Sequence, residues 1–185
     1  MKIPEPRPRW TPKFGTFAML TDWGKLRKPQ LFKDWSTEDI MLTSAVGGVG
    51  KTTLKLFEAV MLALGESFIG FENVQVGRTL FIIGEDSEAK LYATLGKMCT
   101  EMGLMKPGNE HKLRCVLDNI VIKRADDICL VAQDPKTRSF VPNYEALEKI
   151  KEAVDDLKPK QIIIDPIAMF WGNESGGNDM AMALS

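Results

Sequence analysis

The stretch that decides the fold is Asp39-Ile40-Met41-Leu42-Thr43-Ser44-Ala45-Val46-Gly47-Gly48-Val49-Gly50-Lys51-Thr52-Thr53-Leu54. It predicts a buried strand from Ile40 to Ser44, a glycine-rich loop, and a helix that begins near Lys51. This order is the layout of a phosphate-binding loop. Glycines suit such a loop because they take a positive φ and let backbone N–H groups converge on an anion. The positive N-terminal end of the helix adds to the same site.

The side chains of this loop have separate predicted roles in a nucleotide site. Lys51 is expected to reach the β- and γ-phosphates as a point charge, and the Thr52 hydroxyl is expected to ligate Mg²⁺. The loop departs from the strict pattern once, because the residue five before Gly50 is Ala45 rather than glycine. A plain glycine turn is the alternative, and the extra glycines and the amphipathic helix disfavour it. The predicted nucleotide-binding residues are Val46, Gly47, Gly48, Val49, Gly50, Lys51, Thr52 and Thr53.

Two later apolar runs end in carboxylates. Residues 78–84 lead into Glu85 and Asp86, and residues 161–164 lead into Asp165. Ligands of an open parallel sheet gather at the carboxyl ends of its strands, so these acids and the phosphate-binding loop should converge on one crevice. Asp165 is predicted to hold the magnesium shell, and Glu85 to orient the attacking water as the catalytic carboxylate. Asp86 either assists the metal or caps the next helix; alternatively, both Glu85 and Asp86 only cap the helix that starts at Ser87.

Composition predicts one globular core preceded by a basic arm. The chain has 185 residues, of which 44% are hydrophobic, and a net charge of -1. Residues 1–36 carry eight Lys or Arg against three acids, a net of +5, so residues 37–185 sum to -6. The arm also holds half of the ten prolines and three of the four tryptophans. We interpret it either as an interface segment for a neighbouring subunit or nucleic acid, or as a leader that covers the edge of its own domain.

Several other classes of protein are disfavoured. The three cysteines, Cys99, Cys115 and Cys129, lack any Cys-x-x-Cys spacing, so we expect buried thiols rather than a disulfide framework or a zinc site. No apolar run approaches the roughly 20 residues of a membrane span, and prolines occupy the N-terminus, so we expect a cytoplasmic protein with no membrane partner. His111 lies in a predicted polar connector without partners for chemistry.

The remaining pattern alternates strands with helices, which predicts an α/β fold with a mainly parallel sheet flanked by helices. The first helix should run to Leu64 and end at Gly65, with an inward stripe. The next should run to about Met102, and a third should run from Asn143 to Leu157. A strand over residues 120–122 and a peripheral hairpin over residues 128–131 and 139–141 complete the prediction. The inward stripe of the first helix comprises Leu54, Phe57, Val60, Met61 and Leu64, and that of the third comprises Leu147, Ile150 and Val154.

Three motifs in this order are Gly-Gly-Val-Gly-Lys-Thr-Thr, Thr-Leu-Phe-Ile-Ile-Gly-Glu-Asp and Ile-Ile-Ile-Asp-Pro-Ile-Ala-Met-Phe-Trp-Gly-Asn-Glu. Over residues 38–185 the chain resembles RecA-like P-loop ATPases of the RepA type, the hexameric helicases of plasmids and phages. The resemblance implies ATP and Mg²⁺ as cofactors, with Lys51 and Thr52 on phosphate and metal, Glu85 as catalytic carboxylate and Asp165 as the Walker B acid. It also implies a homo-oligomeric ring that acts on single-stranded DNA.

The resemblance also predicts what the sequence lacks. The family's next strand, which carries its γ-phosphate sensor, and the segment with its arginine finger would follow residue 185. We therefore expect a RecA-like core that is incomplete at its C-terminus, with weak or absent hydrolysis. The leading hypothesis is the ATPase core of a DNA helicase or replication protein from a phage or mobile element. The alternative is a nucleotide-binding regulatory or assembly module that does not translocate on DNA.

Overall fold

Three parallel strands form the centre of the fold. The computed structural model describes residues 30–37, 40–124, 130–134 and 139–167. The central sheet comprises β3 (Thr79–Ile83), β4 (Ile120–Arg124) and β7 (Gln161–Asp165). Their order across the sheet is β4-β3-β7. All five residues of β3 are buried, as expected for an apolar run covered on both faces of a parallel sheet. The strands predicted over residues 78–84, 120–122 and 161–165 are therefore confirmed.

Helices cover both faces of this sheet. They are α1 (Lys51–Leu64), α2 (Glu88–Glu101), α3 (Glu110–Asn119) and α4 (Tyr144–Leu157). Successive side chains of a strand point to opposite faces, so Phe81 and Ile83 join the cluster of α1, α2 and α3, while Leu80 and Ile82 meet α4. The predicted α/β fold with a parallel sheet flanked by helices is confirmed.

The helix ends follow the local sequence signals. Gly65 ends α1 with a φ of 71°, a conformation that favours glycine. Ser87, rather than Asp86, caps α2, because its side chain accepts a hydrogen bond of 3.2 Å from the Lys90 N–H. Asn143 caps α4 by accepting a bond of 3.3 Å from the Ala146 N–H. The predicted ends at Gly65 and Asn143 are confirmed.

The predicted strand from Ile40 to Ser44 is wrong. Residues 40–46 have no regular secondary structure, and Ile40 and Leu42 are 100% and 70% exposed. No described strand pairs with this segment. A strand owes its stability to a ladder of hydrogen bonds and to cross-strand packing, so an apolar composition without a partner does not suffice.

Residues 110–119 form helix α3, so the predicted polar connector at His111 is also wrong. This helix buries only Val116 completely. It has too few apolar residues at helical spacing for the sequence pattern to predict a helix. His111 is exposed on this helix. Its neighbour Lys112 forms an ion pair of 2.7 Å with Glu66, just beyond α1.

Two predicted inward stripes need adjustment. In α1, Val60 and Met61 are buried as predicted, but Leu56 and Leu62 are fully buried too, because neighbouring elements cover more than one side of this helix. In α4, Ile150 and Val154 pack against the core, whereas Leu147 is 40% exposed. Ala146 is buried in place of Leu147.

Part of the predicted basic arm packs on its own domain. Strands β1 (Gln30–Phe32) and β2 (Ser36–Thr37) pair, and Phe32 is fully buried in the core. The Trp35 ring lies 5.0 Å from Phe71 and 5.5 Å from Phe68, between ring centroids. Trp35 therefore covers its own domain, which is one of the two interpretations of the arm. The domain boundary between residues 36 and 37 stays a prediction, and Trp10 and Trp23 lie outside the described residues.

The predicted hairpin is confirmed for its described part. Strands β5 (Val131–Gln133) and β6 (Phe140–Pro142) pair in antiparallel fashion. Cys129 and residues 168–185, which include the second half of the third motif, lie outside the described residues.

Candidate functional site

The glycine-rich loop joins an irregular segment to helix α1. Gly48 and Gly50 have φ values of 78° and 89°, a region that side chains rarely adopt, so these two positions favour glycine. A Cβ built at Gly47, Gly48 or Gly50 would meet no atom within 4 Å. The space next to these three glycines, where side chains would stand, is therefore open.

The Lys51 side chain forms hydrogen bonds with backbone groups of its own loop. Its Nζ donates hydrogen bonds of 2.7 Å to the Ala45 carbonyl and 2.9 Å to the Val46 carbonyl. Phosphate oxygens bind an ammonium more strongly than neutral carbonyls do, because both partners then carry charge. Sequence reasoning missed these two carbonyls, since backbone acceptors leave no signal in the residue types.

Thr52 contacts a residue that lies 113 positions later in the chain. Its hydroxyl, in the first turn of α1, donates a hydrogen bond to Oδ2 of Asp165, the last residue of β7. The Asp165 carbonyl also accepts a bond of 3.0 Å from the Gly84 N–H, just past β3. The end of β7, the end of β3 and the start of α1 therefore meet at one point.

The two remaining predicted acids follow β3 at the same edge of the sheet. Ile83 is the register partner of Asp165, so Glu85 and Asp86 begin two residues beyond that pair. Glu85 is exposed and makes no ion pair with a described residue. Asp86 instead forms an ion pair of 2.5 Å with Lys90, one turn further along. The carboxylate of Asp86 is therefore committed to a neighbouring lysine.

The donor set at Thr52 and Asp165 suits magnesium. A hydroxyl and a carboxylate already in contact are hard oxygen donors, and Mg²⁺ completes its shell with water and substrate phosphates. Among the described residues, no group of three or more His, Cys, Asp or Glu could hold a metal ion by itself. A metal at this site would therefore need further oxygen ligands, from water or from a bound phosphate.

The resolved pKa shifts lie away from this site. Burial raises the pKa of the Cys99 thiol in α2. The pKa of Glu110 is lowered, because its carboxylate accepts hydrogen bonds from the backbone N–H groups of Glu110 itself and of Gly108. Neither group belongs to the site formed by Lys51, Thr52 and Asp165.

The parallel sheet, its flanking helices and the glycine loop at the start of α1 define a P-loop ATPase of the RecA-like class. A family model described as AAA domain matches residues 15–185, and the chain belongs to this family. Nucleotide binding and ATPase activity in general follow from that membership. Searches among curated proteins and among solved structures found no match. No helix in the described part of the chain has the length and apolar character to cross a membrane.

Proposed function

We propose that this chain binds Mg²⁺-ATP in the loop over residues 46–53 and hydrolyses it at the carboxyl edge of the sheet. The hydrogen bond from Thr52 to Asp165 carries this proposal. It joins a hydroxyl at the start of the helix to a carboxylate at the end of a strand, the two protein groups that a magnesium ion beside ATP requires.

Phosphate binding is assigned to the loop and to Lys51. In this proposal Lys51 exchanges the carbonyls of Ala45 and Val46 for phosphate oxygens. The backbone N–H groups around Gly48 and Gly50 and the N-terminal end of α1 supply further positive potential.

Metal binding is assigned to the Thr52 hydroxyl and the Asp165 carboxylate, and water would supply further ligands of the ion. When bound, the ion would neutralise charge on the phosphates. Asp86 can assist only after it separates from Lys90, to which it is bound at 2.5 Å. We therefore assign Asp86 a secondary role, subject to competition from that lysine.

Water activation is assigned to Glu85. Its carboxylate is exposed just past β3, on the edge where Asp165 ends the neighbouring strand. A carboxylate that makes no ion pair with a described residue can accept a proton from water as a general base. Lys51 and Glu85 are the proposed catalytic residues, one for phosphate charge and one for the proton.

The finer proposal is the motor core of a DNA helicase or replication protein that forms a homo-oligomeric ring on single-stranded DNA. Support comes from the order of the three motifs and from the net charge of +5 over residues 1–36. A regulatory or assembly module is the second candidate. The closure of Lys51 on its own loop favours it, because ATP would then switch the loop between two hydrogen-bonded states.

Calorimetric titration with ATP, with and without Mg²⁺, tests the nucleotide site. Lys51→Ala should weaken binding by at least about tenfold, since it removes a charged phosphate contact. Lys97→Ala, an exposed lysine of α2, is the matched control and should bind like the wild type. Unchanged affinity in Lys51→Ala would remove this residue from the site.

A second experiment separates the motor from the switch. Single-stranded DNA should stimulate ATP turnover by the motor, because translocation couples the two activities. Turnover by the switch should not respond to DNA. Equal rates at all DNA concentrations, with intact ATP binding, would reject the motor.

A further inference from the structure

A buried polar network lies behind the candidate site, between α1 and the far ends of two strands. Glu58 is fully buried, and its Oε2 accepts a bond of 2.7 Å from Lys55 Nζ. Its Oε1 accepts a bond of 2.9 Å from Gln161 Nε2, at the start of β7. Gln161 Oε1 in turn accepts a bond of 3.2 Å from the buried Thr79 hydroxyl, at the start of β3.

The burial of this charge is costly in itself. The Lys55 side chain is only 12% exposed and that of Glu58 is 0% exposed. A buried ion pair loses much of its attraction to desolvation, and well-packed apolar side chains often serve stability as well or better. What the network contributes is directionality, because hydrogen bonds specify one arrangement of α1 on the sheet.

Helix α1 is bound to β7 at two points. Thr52 contacts Asp165 at the carboxyl end of the strand, and Glu58 contacts Gln161 at its amino end. Residues six apart on a helix are separated by about 9 Å along the axis and about 120° around it. Two contacts with that spacing prevent the helix from sliding along the strand and from turning about its own axis.

We propose that Glu58 is a positioning residue for the metal-nucleotide site, acting through Gln161. Its bond to Gln161 holds α1 so that the Thr52 hydroxyl meets the Asp165 carboxylate. This inference rests on the proposed function. It predicts that breaking the bond impairs the part of ATP affinity that depends on Mg²⁺, and spares the part that depends on the phosphate loop alone.

The test compares ATP affinity with and without Mg²⁺ in variants of the chain, by calorimetric titration. Lys55→Met/Glu58→Met removes the network but keeps long unbranched side chains in the helix. We call the ratio of ATP affinity with Mg²⁺ to ATP affinity without it the Mg²⁺-dependent tightening. Groups that orient metal ligands typically contribute at least about tenfold to metal affinity, so this ratio should fall by about that factor. Affinity without Mg²⁺ should stay unchanged, and the melting temperature reports separately the cost of leaving the Gln161 amide without its acceptor.

Two further variants separate positioning from charge and stability. Gln161→Met removes the hydrogen bond between Gln161 and Glu58 but leaves the Lys55–Glu58 ion pair in place. It should show the same loss of tightening as the double variant. Glu58→Gln removes the charge and keeps a hydrogen-bonding group. When the amide groups at positions 58 and 161 both rotate by half a turn, the amide nitrogen at position 58 can donate to Gln161 Oε1. It should keep the tightening of the wild type even though it leaves Lys55 without a charged partner, and should therefore melt at a lower temperature.

The matched control is Glu66→Met/Lys112→Met, which removes an exposed ion pair of the same length, 2.7 Å. It should change neither the tightening nor the affinity without Mg²⁺. Wild-type tightening in both Lys55→Met/Glu58→Met and Gln161→Met would overturn the inference and leave the proposed function standing. Should the double variant fail to fold, Gln161→Met decides alone. No Mg²⁺-dependent tightening in the wild type would overturn both proposals.

Discussion

Thr52 and Asp165 form a hydrogen bond across 113 residues of chain, between the first turn of α1 and the last residue of β7. Neither residue is distinctive alone, since threonine in a helix and aspartate after a strand are both common. Their contact places a hydroxyl and a carboxylate beside the glycine loop. Experiments on this pair and on its surroundings can test the site directly.

Asp165→Asn should remove the Mg²⁺-dependent part of ATP binding. The amide oxygen can still accept from Thr52, but the neutral group is a poor magnesium ligand, so affinity with Mg²⁺ should fall by at least about tenfold. Affinity without Mg²⁺ should not fall, and titration calorimetry measures both. Asp155→Asn, at an exposed position of α4, is the control. Equal loss with and without the metal would assign Asp165 to folding instead.

Glu85→Gln should separate binding from turnover. The amide keeps the size of the side chain but cannot take a proton, and loss of a general base typically costs about 10²- to 10⁴-fold in rate. Binding of Mg²⁺-ATP should match that of the wild type, while phosphate release should drop by that factor below the wild-type rate, which single-turnover measurement detects even when that rate is low. Glu101→Gln in α2 is the control. Wild-type turnover in Glu85→Gln would reassign the base.

Gly50→Ala should weaken nucleotide binding through backbone strain rather than through a clash. Gly50 has a φ of 89°, and an added Cβ would meet nothing within 4 Å. The left-handed region costs a residue with a side chain about 1–2 kcal/mol. In the variant the free loop should relax out of this region and must return to it on binding, so ATP affinity should fall roughly five- to thirtyfold. Gly96→Ala inside α2 also has open space and an ordinary φ, and should bind ATP normally. Similar affinity in both variants would show that the loop tolerates another conformation.

The thiols of Cys99 and Cys115 should differ sharply in reactivity. Cys99 is buried in α2, as the sequence predicted, and its pKa is raised by burial. Cys115 is exposed on α3, so the prediction of a buried thiol is wrong at this position. A raised pKa lowers the thiolate fraction at neutral pH, and burial blocks the reagent as well. Alkylation of the native protein, read by peptide mass spectrometry, should label Cys115 first and Cys99 only after unfolding. Rapid labelling of Cys99 would indicate that α2 opens readily.

Local pattern was enough to predict much of the fold. The apolar runs that became β3 and β7 and the helical period of α1 were all visible in the residues. The caps at Gly65 and Asn143 were visible too, because they depend on neighbours within a few positions. Helix α3 was missed because it buries only Val116 completely. The strand predicted at Ile40 to Ser44 was wrong because a strand depends on a partner that local pattern cannot supply.

The sequence by itself determined the glycine turn, the lysine and threonine that follow it, and the acids that end two apolar strands, since each rests on a short-range chemical requirement. Only the tertiary structure decided which of these groups meet. It joined Thr52 to Asp165, committed Asp86 to Lys90, turned Lys51 onto its own loop and buried Glu58 against Gln161. The physical reason is that such contacts depend on the packing of helix against sheet, which brings together residues that are distant in the chain.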